Sequence, residues 1–127
     1  MSTVNRSRFR RHVCNELRRV RSYRNALRKN ERMSARERER IVTWIRIADE
    51  TLESLRSEPD GKNKSRFFDD LYGLTRRSSG NARYVYTRSE ELFSMSWSGL
   101  ERWRENGVFI ASILSIQYGM IDLSSEM

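Results

Sequence analysis

A single proline, Pro59, interrupts 127 residues. On both sides of it apolar residues return at steps of three and four, the spacing that lines one face of an α-helix. A chain patterned this way folds as packed helices, so an all-α class is expected. From about Thr3 to Asn30 the stripe is Phe9, Val13, Leu17, Val20 and Leu27. A second stripe, Ile41, Trp44, Ile45, Ala48, Leu52 and Leu55, runs from Ser34 to about Ser57. Ser34-Ala35-Arg36-Glu37 opens it in capping-box form, in which Ser and Glu side chains satisfy orphan amides reciprocally. Only Glu31-Arg32-Met33 lies between the two stripes. Each needs a partner for its apolar face, which predicts an antiparallel helical hairpin over residues 1–58.

Pro59-Asp60-Gly61-Lys62-Asn63 is the clearest break and sets the start of a second unit, residues 64–121. A third helix is expected near Ser65, using Phe67, Phe68, Leu71, Tyr72 and Leu74. Arg76 to Asn81 reads as a loop. Tyr84-Val85-Tyr86 is either a short extended piece or the beginning of the next helix, since periodicity cannot decide over so few residues. Thr87-Arg88-Ser89-Glu90 has capping-box form again and predicts a short helix from Thr87. A Ser94-Met95 turn follows. Ser96 can then cap a longer helix that places Leu100 and Trp103 inward and Trp97, Ser98, Glu101, Arg102 and Arg104 on or near exposed positions. Gly99 and Gly107 lie inside this helix, each costing roughly 1 kcal/mol relative to alanine, and Gly119 suits its C-terminal cap. A short helix, a tight turn and a second helix fit a helix-turn-helix, whose second helix meets base edges in the major groove with its N-terminal residues.

Charge adds a partner. The chain holds 25 Lys+Arg against 17 Asp+Glu. Residues 1–40 carry 14 cations, 13 of them arginine, against 4 acids, whereas residues 41–127 carry 11 against 13. Arginine's planar, weakly hydrated fork matches phosphate oxygens, so the concentration points to a polyanion. Three readings of the first helix stand: a basic arm along a DNA backbone, an arginine-rich RNA binder, or a solubilising face on a hairpin covered by another subunit.

Catalytic classes find little to work with. One cysteine, Cys14, and one histidine, His12, leave no internal disulfide, multi-cysteine or His-based metal site, or Ser-His-Asp triad. No Gly-rich phosphate loop or nucleophile elbow occurs, and Asp69-Asp70 and Glu90-Glu91 are adjacent pairs that do not share a helical face. No enzyme, metal or cofactor is expected. Asn106 to Ile121 holds no charged residue, yet a bilayer span takes about 20 apolar residues, and this run is shorter and contains Ser112, Ser115 and Gln117. It is expected to be a buried helix or a dimer face, with no membrane role. The N-terminus lacks the apolar region of a secretory signal, so a cytoplasmic location is expected.

Ser96-Trp97-Ser98-Gly99-Leu100-Glu101-Arg102-Trp103-Arg104-Glu105, followed by an apolar helix, resembles the end of the small phage transcriptional regulators of the ArpU and RinA type, which are similar to region 4 of sigma factors. Ser96, Ser98, Leu100, Arg102, Trp103 and Arg104 match the family form S-x-S-x-(aromatic or Leu)-x-R-W-(R/K). Ile47 to Leu55 and Phe67 to Tyr72 are similar to the two helices upstream, so the resemblance covers roughly residues 40–121. Between Tyr72 and Ser96 this chain is longer than the pattern, with the Arg76–Asn81 loop as the insertion. The small residue usual in the first helix of the motif falls at Ser89 or Glu90.

The resemblance implies a DNA-binding activator of late phage genes in a bacterial host, acting on double-stranded DNA at a promoter or beside the host RNA polymerase, with homodimer formation left open. Candidate DNA-binding residues are Thr87 and Arg88, as phosphate contacts at a helix start, and Ser96, Trp97, Ser98, Glu101, Arg102 and Arg104 on the reading helix. The alternative is a small phage or bacterial protein that binds and inhibits a host protein or nucleoprotein complex through the apolar 106–121 helix.

Overall fold

The computed structural model describes residues 6–120, which form five helices: α1 (Arg6–Arg28), α2 (Ala35–Arg56), α3 (Gly61–Tyr72), α4 (Ala82–Phe93) and α5 (Trp97–Gln117). No strand occurs among the described residues, and no helix is long and apolar enough to cross a membrane. The first five residues of the chain, where the reading of α1 begins at Thr3, lie outside the described residues.

Four of the helices stop on a residue in the left-handed region: Asn30 after α1, Gly73 after α3, Ser94 after α4 and Gly119 after α5. At each, the amide of the following residue reaches back five positions. Glu31 donates to the Ala26 carbonyl, Leu74 to Asp69, Met95 to Glu90 and Met120 to Ser115. This reversal satisfies carbonyls that a helix end leaves without partners. The α2–α3 junction is different. Asp60 takes the left-handed conformation, and a Cβ on Gly61 would stand 2.1 Å from the Arg56 carbonyl oxygen. Only glycine fits there, so α3 begins at Gly61, one turn ahead of the Ser65 start expected from the sequence.

α2 packs against α1, α3 and α5. The larger core gathers Val13, Leu17 and Val20 of α1, Trp44, Ile47 and Leu55 of α2, Phe68 and Tyr72 of α3, Leu74, and Val108 and Ala111 of α5. It therefore draws on residues from both sides of the Pro59 break. A smaller core joins Phe67, Val85, Tyr86, Leu100 and Trp103, with Leu71 packed against both. α5 runs unbroken through its two glycines. A Cβ on Gly107 would lie 2.4 Å from Phe68 Cε1, so the glycine is what lets α5 lie against α3.

Glu16 is the notable polar member of the interior, 3 % exposed in the middle of the arginine-rich α1. Its carboxylate accepts from the Tyr23 hydroxyl at 3.0 Å and from Arg40 of α2 at 2.7 Å. Arg40 also holds Glu37, whose carboxylate the capping-box reading had assigned to the helix start. Ser34 does cap α2, accepting from the Glu37 amide at 3.1 Å. The hydrogen bond from Arg40 keeps Glu37 below the usual carboxylate range.

Candidate nucleic-acid interface

α4 and α5 are joined by Ser94, Met95 and Ser96. The left-handed Ser94 turns the chain, and Ser96 caps α5 by accepting from the Gly99 amide at 3.1 Å. Along the first turns of α5 the inward side is Gly99, Leu100 and Trp103, all buried. Ser98 and Arg102 face outward, and Arg102 has no ion-pair partner among the described residues. Trp97 is 42 % exposed and stacks on Tyr86 of α4, with ring centroids 4.9 Å apart and planes at 23°.

Two sequence-predicted readers are placed differently. Glu101 accepts from the Tyr86 hydroxyl and, at 2.8 Å, from Arg104 Nε. Arg104 also donates to the Tyr72 hydroxyl at 3.4 Å and lies 3.5 Å from Glu105, leaving its side chain only 20 % exposed. Burial alone would raise the Glu101 carboxyl, but the Tyr86 hydrogen bond and the Arg104 guanidinium outweigh it and hold the group below its usual range. Burial and the adjacent Glu101 push the Tyr86 phenol well above its ordinary value, and burial with the Cys14 thiol 3.5 Å away pushes Tyr72 up to about 12. Both phenols stay protonated. Glu101 keeps its side chain 43 % exposed, as expected, whereas Arg104 is mostly covered; the pair braces α5 against α3 and α4.

The Thr87 capping box is also corrected. α4 begins five residues earlier, capped by Asn81, whose side chain accepts from the Tyr84 amide at 2.8 Å. Tyr84-Val85-Tyr86 is helical. Thr87 Oγ1 donates to the Arg83 carbonyl at 2.9 Å, the usual outlet for a mid-helix threonine. Neither Thr87 nor Arg88 therefore sits at a helix start with free amides. Thr87 is exposed on the outer side of α4, and Arg88 turns toward α3.

Four helices meet beside the start of α5 in an open groove of about 690 Å³. Arg18 of α1, Tyr72 of α3, Arg83 and Tyr86 of α4, and Trp97 and Glu101 of α5 line it. Arg18 lies over the Tyr72 ring, 5.3 Å from its centroid. The arginine-rich helix and the front of α5, which the sequence offered as separate signals, thus border one surface. Arg11 and Arg21 of α1 are exposed without ion-pair partners among the described residues, whereas Arg10 is tied to Glu105 of α5. The groove offers planar rings and guanidiniums, groups suited to stacking and hydrogen bonding. Arg18 and Arg83 were not singled out from the sequence, because nothing in their local pattern tells that α1 and α4 converge. No protein-family model, curated protein or solved structure matches the chain.

Proposed function

We propose that this protein is a DNA-binding regulator. In this reading residues 1–58 act as a basic helical hairpin, and α4, the Ser94–Ser96 turn and α5 act as a helix-turn-helix whose second helix docks its leading turns in the major groove. The observation that carries the reading is the front of α5: a Ser-capped helix start with Leu100 and Trp103 anchored inward and Ser98, Arg102 and part of Trp97 left to solvent. That is the disposition a reading helix requires. Arg18 and Arg83 flank it, where backbone phosphates would run, and the resemblance to phage regulators of the ArpU and RinA type points the same way. Ser98 and Arg102 are the base-edge candidates, Arg102 as a bidentate partner for guanine. Glu101 and Arg104 act by fixing the angle of α5.

Selection of bound sequences from a random duplex pool tests this first, because an enriched motif reports both specificity and symmetry. On that sequence Arg102→Ala should cost about 1–3 kcal/mol and relax preference at one position. Arg18→Gln should weaken binding to all duplexes alike and lower the salt slope by about 1. Absence of any enriched motif, together with binding insensitive to salt, would overturn the proposal.

A second reading has its own observation. Phe109, Ile113 and Ile116 recur at helical spacing on the outer side of α5, with Phe109 63 % exposed. A contiguous apolar stripe of this kind suits a protein partner, which a protein-binding inhibitor or a homodimer would supply. Sedimentation of the isolated protein with and without Phe109→Asp separates the homodimer from a monomer awaiting a partner.

A further inference from the structure

We propose that the cavity between α3, the segment 73–81 and α4 is a binding site for a phosphate-class oxyanion. Arg66 of α3, Arg76 and Arg77 of the connecting segment, and Arg88 of α4 line one space of about 210 Å³. All four are exposed, and none has an ion-pair partner among the described residues. The one carboxylate on the wall, Asp70, has both oxygens engaged: it accepts from the Ser79 amide at 2.9 Å and from the Ser79 hydroxyl at 2.8 Å. It fastens the segment in place, and its single negative charge stands against four positive ones on the wall.

Four guanidiniums share this space with a single carboxylate, so positive charge is in excess there. An oxyanion offsets that excess, and guanidinium forks match its oxygens in pairs. A second, independent observation points to an acceptor. Ser89 lines the same cavity, is 4 % exposed, and its hydroxyl has no partner among the described residues. Buried hydroxyls are nearly always hydrogen-bonded, and here the open side is the cavity. The space is smaller than the roughly 300–1,000 Å³ that holds drug-sized ligands, so it suits a phosphoryl group and not an entire nucleotide.

The phosphate comes either from a nucleic-acid backbone flanking α5 or from a free phosphate ester. Only the first source rests on the DNA-binding reading. Thermal unfolding in increasing pyrophosphate, against sodium chloride at matched ionic strength, tests the chemistry without DNA, since a ligand bound only by the folded state raises Tm in a saturating way. The wild-type chain should show that rise. Arg66→Gln/Arg77→Gln should raise the half-saturating concentration roughly tenfold or more, as expected for losing charge-assisted hydrogen bonds, and Ser89→Ala should raise it severalfold. Arg21→Gln/Arg38→Gln, which removes the same charge from exposed positions elsewhere, should respond as wild type; Arg88→Gln gives an independent reading if the first double variant has a lowered Tm without ligand. A pyrophosphate response no larger than that of chloride, or one equal in all variants, would overturn the site. Duplex binding by the same proteins then assigns the source. A salt slope lowered by about 2 in Arg66→Gln/Arg77→Gln identifies a backbone phosphate, and unchanged duplex affinity with weakened pyrophosphate binding identifies a free ester. A wild-type chain that binds no duplex but keeps the pyrophosphate response sinks the DNA-binding reading and leaves this site standing.

Discussion

The two cores of the molecule differ in how arginines gather around them. Around the larger core Arg40 is tied to Glu16 and Glu37, Arg24 to Asp49 and the Leu74 carbonyl, and Arg10 to Glu105, while Arg11 and Arg21 stay exposed on α1 without ion-pair partners among the described residues. Around the smaller core Arg104 is held by Glu101, whereas Arg66, Arg76, Arg77 and Arg88 line one cavity and have no ion-pair partner among the described residues. The linear charge count, with its excess in residues 1–40 and a deficit afterwards, does not show that second cluster. The difference lies in what the carboxylates do. Asp69 accepts from the amide and hydroxyl of Thr75, and Asp70 does the same for Ser79, so the two acids anchor a loop and make no ion pair with the arginines around them. Net charge per segment therefore does not locate free charge. What matters is which groups the fold leaves unpartnered.

The sharpest way to break this contrast is Glu16→Ala. It leaves Arg40 and the Tyr23 hydroxyl without their buried acceptor, and should cost about 3 kcal/mol in urea unfolding. A loss below 1 kcal/mol would mean that the pairing around the larger core carries little. Gly107→Ala should follow at about 1–3 kcal/mol, because the new methyl forces Phe68 or α5 to move; a parallel loss of Trp97 and Trp103 fluorescence signal would show that the smaller core depends on that close approach.

Glu101 supplies a pH-dependent test. Its folded pKa is depressed, so its contribution to stability is fully present above the ordinary glutamate value of 4.5 and is lost as the pH falls through the lower, folded value. Glu101→Gln should flatten the acid limb of the stability curve in that window and leave the curve above pH 6 with the same shape. The smallest effect is expected at Arg76→Gln, within about 0.5 kcal/mol of wild type, as for a surface residue with no partner to lose. A larger loss there would show that the cavity arginines are structural as Arg104 is, and would erase the comparison.

Much of the helical framework was legible in the sequence. The stripes of α1 and α2, the Ser34 and Ser96 caps, the Ser94-Met95 turn and the inward Leu100 and Trp103 follow from local periodicity and side-chain chemistry. The start of α4 is not legible because Thr-x-x-Glu is equally at home inside a helix, and the competing signal, Gly80-Asn81 with an Asn side chain able to cap, sits at the end of a loop-like run. The partners of Glu101 and the covering of Arg104 are not legible because helical phase fixes a direction but not the neighbours that fill it; Tyr72 and Tyr86 come from other helices. The groove and the arginine-lined cavity depend wholly on how distant segments pack, which no local pattern encodes.

The adjacent aspartates on α3 leave one more mark on the chain. Because each grips a fixed point, Thr75 and Ser79, the stretch between them works as a measured strap with two buckles. Its length is set by those two anchors, so adding or dropping one residue would unfasten one end and carry Arg76 and Arg77 away from Arg66 and Arg88. Among relatives of this protein, insertions should therefore fall after Ser79 and not before it.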